Sequence, residues 1–234
     1  MKAHRSLKWS LACTVAALCS LSLIPSAQVL GQESGITGRV TLSSALPEPE
    51  IVSVRSDRDA CGSQVLVSLI EGENGGLKNA VVRIVGVEGQ PPADFAEPVL
   101  DQRGCLFEPR VVLVAPGQQL DVLNSDGIMH NVHTKSKANR GVNKSMPKFL
   151  TKITLDFAEP EVITVRCDVH RWMHAVIVVA EHRYYAVTHA DGSFMLPSLP
   201  DGIYTLEAWH PELGAKETTF EVSGGVAAGV QIVF

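Results

Sequence analysis

Basic residues nowhere form a run in this sequence, and aromatic side chains make up only 6% of it. A protein that grips nucleic acid or an anionic bilayer needs Lys and Arg clustered on one face. With 20 basic against 25 acidic residues and a net charge of −5, neither partner is expected. Long apolar stretches are as scarce. Residues 9–24 are uncharged, but they fall short of the roughly 20 residues that a spanning helix needs. No Gly-x-Ser-x-Gly occurs, and no carboxylate pair has a readable setting. Acyl transfer and glycoside hydrolysis therefore lack their residues, and no enzyme activity is expected.

What is present begins with Lys2, Arg5 and Lys8, then the uncharged run 9–24, then Pro25 and small residues up to Val29-Leu30-Gly31. A basic start, a short apolar run and a small-residue cleavage site have the layout of a secretory signal peptide, assigned to residues 1–31. An uncleaved anchor is the alternative. Cleavage would leave 17 basic against 25 acidic residues, near −8, and no integral membrane span. The expected location is the periplasm or another exported compartment. Cys13 and Cys19 would leave with the signal, and Cys61, Cys105 and Cys167 would stay. Three cysteines in an oxidising compartment imply one disulfide and one thiol with other work.

Beyond the signal, helical periodicity is almost missing. Short β-rich runs recur at 80–85, 110–115, 120–123, 153–157, 162–166 and 175–180, with Pro116-Gly117, Ser125-Asp126-Gly127 and Glu159-Pro160 as turns. This punctuation predicts an all-β protein, an antiparallel sandwich or barrel. Segments 86–98 and 134–148 read as loops. From about residue 183 the texture changes to paired turns and alternating strands, through Asp191-Gly192-Ser193-Phe194 and Leu199-Pro200-Asp201-Gly202. The expected division is an N-terminal arm and first strand at 32–78, one domain at 79–182 and a small β-sandwich at 183–234. About 50 residues are marginal alone, so the small unit is expected to pack on the first or to borrow a strand.

The chemistry concentrates in Cys167-Asp168-Val169-His170-Arg171-Trp172-Met173. Thiolate, imidazole and thioether recur at three-residue steps just after a strand, where a tight loop can turn all three to one point. Upstream, Met129-His130-Asn131-Val132-His133 offers a second imidazole from another strand. Two imidazoles and a thiolate with a weak axial thioether suit copper, whereas zinc rarely takes Met and does no redox chemistry. By strand alternation Asp168 faces away from Cys167, and His133 away from His130. Asn131 is placed to tie the two ligand segments together, and a hydrogen bond to the Cys167 sulfur would tune the site. His174 competes with Met173 as the fourth ligand. Trp172 is either a packing plug or an exposed edge.

These motifs resemble the cupredoxins, the blue-copper family of the amicyanin and plastocyanin kind. The likeness extends to Phe107-Glu108-Pro109 and Asp121-Val122-Leu123-Asn124-Ser125-Asp126, and covers about residues 79–182. It implies a Greek-key sandwich with one mononuclear type 1 copper held by His130, Cys167, His170 and Met173. Arg171 departs from the pattern, since Pro is common between the His and the Met. Residues 191–206 resemble carboxypeptidase regulatory-like domains of the transthyretin type, which are usually non-catalytic. Gly35-Ile36-Thr37-Gly38-Arg39-Val40 is similar to their first strand, so the N-terminus is a candidate to complete the small domain. With Cys167 on the metal, Cys61 and Cys105 are left as a possible disulfide.

The function this implies is one-electron transfer, with His170 near the surface as the electron port and a redox partner such as a c-type cytochrome or dehydrogenase. Copper storage or delivery is one alternative, weakened by only five Met in the chain. An interaction module with a structural copper is another.

Overall fold

The β-branched runs become strands because Val, Ile and Thr are stiff at χ1 and pack well on a pleated surface. The computed structural model describes residues 35–88, 95–96 and 98–234. The signal-peptide segment with Cys13 and Cys19, and part of the 86–98 loop, lie outside the described residues. In chain order the elements are β1 (Gly35–Thr41), β2 (Glu50–Ser53), α1 (Arg58–Cys61), β3 (Gln64–Val67), β4 (Val81–Val85), β5 (Val99–Arg103), β6 (Leu106–Glu108), β7 (Val111–Val114), β8 (Leu120–Asn124) and β9 (His130–Lys135). There follow β10 (Asn143–Met146), β11 (Lys152–Leu155), β12 (Glu161–Arg166), β13 (His174–Val179), β14 (Tyr185–Val187), β15 (Ser193–Pro197), β16 (Gly202–His210), β17 (Gly214–Val222) and β18 (Ala227–Val233). Among the described residues the architecture is all-β apart from the single helical turn α1. No helix among the described residues is long and apolar enough to cross a membrane.

Two sandwiches and one small cap account for the strands. In the larger sandwich the sheet β10-β9-β12-β13-β7 faces the sheet β11-β8-β5-β6. Leu100, Val112, Leu120, Val132, Ile163 and Ile177 meet between them, together with Phe157 and Met146. Fully burying each such side chain contributes about 1.5–3 kcal/mol. The sheets are mixed rather than wholly antiparallel, because β7–β13 and β5–β8 run parallel across long connections. Segment 134–148, read from its Lys, Asn and Ser content as a loop, contains β10, which pairs with β9. An edge strand can be that polar because one of its sides faces water.

The smaller sandwich sets β15-β1-β18 against β14-β4-β16-β17 around Ile36, Val40, Ile84, Phe194 and Leu206. Strand β1 lies between β15 and β18. Its close fit depends on Gly38, where an added Cβ would sit 2.2 Å from the Val230 carbonyl oxygen and 2.5 Å from the Phe194 ring. The run at 81–85 pairs with β14 and β16, in the smaller sandwich rather than the larger. An apolar run identifies a buried strand but not the sheet it joins. Val81 and Tyr185 then pack against Val111, Val176 and Val178, which joins the two sandwiches.

The cap is the pair β2–β3 with α1 between them. Val54, Val65 and Val67 cluster with Cys61 and Cys105, and half-buried Trp172 packs against them. A disulfide joins Cys61 to Cys105 across 44 positions and fastens the cap to the β5–β6 turn.

Candidate metal centre

Register decides how the site assembles. Arg166 pairs with His174 across β12–β13 and with His133 across β12–β9. Loop 167–173 therefore closes a hairpin, and the start of β9 lies beside it. The Cys167 N–H donates to the Met173 carbonyl at 3.3 Å, and the Met173 N–H to the His170 carbonyl at 2.9 Å, which holds the loop tight. His130, Cys167 and His170 are brought together, with their donor atoms all within 4.8 Å of one another. His130 Nδ1 lies 3.0 Å from His170 Nδ1 and 3.9 Å from Cys167 Sγ. Met173 shares the apolar core with Cys167 and is fully buried.

Each imidazole is fixed from behind. His130 Nε2 meets an Asp126 carboxylate oxygen at 2.9 Å, and His170 Nε2 meets Asp57 at 3.2 Å. A carboxylate at Nε2 selects the tautomer with its proton there, leaving both Nδ1 lone pairs directed at one another. Two lone pairs 3.0 Å apart repel unless a cation shares them. Burial pushes the His130 pKa below the ordinary imidazole value, with the Asp126 hydrogen bond opposing it, so a neutral ligand is favoured. The sulfur of Cys167 receives the backbone N–H of His170 at 3.4 Å and that of Asn131 at 3.5 Å. Two imidazoles and a thiolate with a thioether close by fit copper better than zinc.

Asn131 reaches the sulfur through its backbone, while its side chain bridges the two segments. Its Oδ1 accepts from the Asp168 N–H, and its Nδ2 donates to Asp168 at 3.3 Å. Asp168 itself is exposed, and its carboxylate lies 3.0 Å from His133 Nδ1. The His133 hydrogen bond holds the Asp168 carboxyl below the usual carboxylate range. His174 is half-buried opposite Arg166 and lines recesses with Arg110 and Arg166 rather than joining the ligand cluster. Burial, then the charges of Arg166 and Arg110, lower its pKa. Trp172 acts as a plug: its indole N–H donates to the Cys105 carbonyl at 2.9 Å, and its ring lies 5.1 Å from that of His170.

One expectation is overturned. His170, read as the electron port near the surface, is 0% exposed, because the cap places Asp57 over its outer edge. Sequence reasoning also missed both carboxylates. Asp126 reads in the sequence as the end of a strand segment and a turn, with no role at the site, yet it accepts the N–H groups of Gly104 (2.7 Å) and Cys105 (2.9 Å) as well as facing His130. That network ties the disulfide turn to His130. Asp57 lies 113 positions from His170, and its nearest sequence signal was Cys61. A second geometric group, Cys105 with Asp126 and His130, offers no thiolate, since Cys105 is in the disulfide.

No protein-family model matches the chain, and no curated protein matches it. Among solved structures, it is similar to the Cu-containing nitrite reductase of Thermus scotoductus SA-01, at 17% identity and a TM-score of 0.34, over 42% of this chain and 24% of that one. The chain thus spans about a quarter of the reductase's length. A mutant amicyanin with Cu(I) is 20% identical, with a TM-score of 0.33, over 42% of this chain and 98% of that one. A novel purple cupredoxin from Nitrosopumilus maritimus is 14% identical, with a TM-score of 0.30, over 36% and 99%. Likenesses this low carry no argument about function, which rests on the site's own atoms.

Proposed function

We propose that this chain is an exported type 1 (blue) copper protein that carries single electrons. One observation carries the reading: His130 and His170 turn their Nδ1 atoms toward each other beside the Cys167 sulfur, each with a carboxylate behind it. Met173, buried in the same cluster as Cys167, would supply a thioether to the metal. Copper bound there supplies a one-electron couple between its two oxidation states. The chain's residues keep the donors in place whichever state is present: Asp126 and Asp57 orient the imidazoles, and two N–H groups steady the thiolate. Fixed donors lower the reorganisation that accompanies each transfer.

Storage or delivery is the weaker reading, since a disulfide-fastened cap over the ligands favours retention over exchange. The smaller sandwich is assigned a non-catalytic role, on its likeness to carboxypeptidase regulatory-like domains. The redox partner is proposed to be a protein such as a c-type cytochrome or dehydrogenase. Visible and EPR spectra of the copper-loaded protein test the reading. An intense visible band with the narrow copper hyperfine splitting of a thiolate-bound site is expected. A colourless Cu(II) form would sink it.

A further inference from the structure

Three of the four proposed ligands have no way out. His130, His170 and Met173 are each 0% exposed. The cover over His170 is built rather than incidental. Asp57 stands at the N-cap of α1 in the left-handed region, φ 59°, and its side chain makes no capping bond. A non-glycine residue there is uncommon, and the helix forgoes a stabilising side-chain cap. The carboxylate reaches His170 Nε2 instead, while the disulfide and Trp172 hold the segment down.

Cys167 is nearly as buried, at 2%, but it borders an open recess of about 460 Å³ lined also by Arg166, Asp168, Arg171 and His174. Its main chain runs directly into exposed Asp168. A covalent path from the sulfur to the surface couples electrons better than a step across a van der Waals gap. The recess also has a charge of its own. Arg166 and Arg171 are exposed, and neither is in an ion pair among the described residues. Lys135 Nζ lies 2.9 Å from His133 Nε2, and the one carboxylate lining the recess, Asp168, is hydrogen-bonded to His133 and Asn143 and is outnumbered by the two arginines. A cationic face on a chain of net charge −5 steers one kind of encounter.

We infer that electrons pass through the Cys167 face, not the His170 edge, and that Arg166 and Arg171 dock an acidic patch of the redox partner protein. The inference rests on the copper reading and deepens it.

The test uses the copper-loaded protein and the double variant Arg166→Gln/Arg171→Gln. Reduced protein is mixed with hexacyanoferrate(III), an anionic oxidant, or with tris(phenanthroline)cobalt(III), a cationic one, at low ionic strength. Independently of turnover, hexacyanochromate(III), paramagnetic and redox-inert, is titrated into the Cu(I) form while amide signals are followed by NMR. Expected are about tenfold slower oxidation of the variant by hexacyanoferrate, no such loss with the cobalt complex, and an unchanged visible spectrum. Broadening should centre on residues 166–171 and Lys135. Variant rates within twofold of wild type, or broadening centred on residues 55–63, would overturn the inference. So would tenfold faster oxidation by both probes after Cys61→Ala/Cys105→Ala loosens the cap, since that would place the exit under it. A colourless wild type would overturn the copper reading and this inference together; a blue wild type with insensitive kinetics would overturn the inference alone.

Discussion

Both sandwiches bury histidine completely, and only one makes a site of it. In the larger, His130 and His170 present Nδ1 to a shared point and have Nε2 held by Asp126 and Asp57. In the smaller, His210 ends β16 equally buried; its Nδ1 accepts the Glu212 N–H at 3.2 Å, and its Nε2 has no partner among the described residues. Burial, with the nearby Arg110 charge adding to it, lowers the His210 pKa to about 4. Burial alone therefore removes a proton without creating a ligand. A ligand also needs its N–H anchored on one side and its lone pair converging with others on the opposite side.

The sharpest way to break this comparison is to remove the sulfur. Cys167→Ser should abolish the intense visible band of the copper-loaded protein, whereas wild-type spectra would show that the thiolate is not on the metal. Next in size is the cap. Replacing both Cys61 and Cys105 by Ala should cost about 4 kcal/mol, from the entropy of closing a loop of this length. The urea midpoint measures it, and the loss should fall on the larger sandwich's capped end.

The third test separates the buried histidines by pH. The folded-state pKa of His210 is depressed to about 4 from 6.5, so the unfolded chain binds its proton first. Its contribution is intact above pH 6.5 and is lost as pH falls toward 4, by at most about 3 kcal/mol. His210→Gln should flatten that part of the stability–pH curve; an unchanged slope would mean that other groups cause it. A smaller effect is expected from Asp126→Asn, which keeps the shape behind His130 but not the charge. Copper affinity should fall about 10–100-fold, read by competition with a chelator. The smallest effect belongs to the outer face of the smaller sandwich, where Ile203 is 79% exposed. Ile203→Ser should change stability by less than about 0.5 kcal/mol and leave the spectrum alone.

Much of the larger sandwich was legible in advance. The runs at 110–115, 120–123, 162–166 and 175–180 became β7, β8, β12 and β13 within a residue or two, because β-branched alternation is a local signal. The ligand loop was legible for a similar reason: three donors at three-residue steps need only a tight turn to converge. The Cys61–Cys105 disulfide followed from an odd count once Cys167 was set aside for metal. The sheet joined by β4 was not legible, nor was β10, whose polar residues hid an edge strand. Asp57 was least legible of all, since nothing local marks a carboxylate that will meet a histidine 113 positions later.

By itself, then, the sequence determined which residue types could bind a soft, redox-active metal, with three of them in a tight loop after one strand and the fourth at the start of another, since donor chemistry and strand alternation are local properties. Tertiary structure alone decided that two distant carboxylates stand behind the imidazoles, that a disulfide-held cap seals His170, and that the buried Cys167 lies beside an open, cationic recess. Those outcomes depend on which segments pack together across the chain, and on the burial that follows from it.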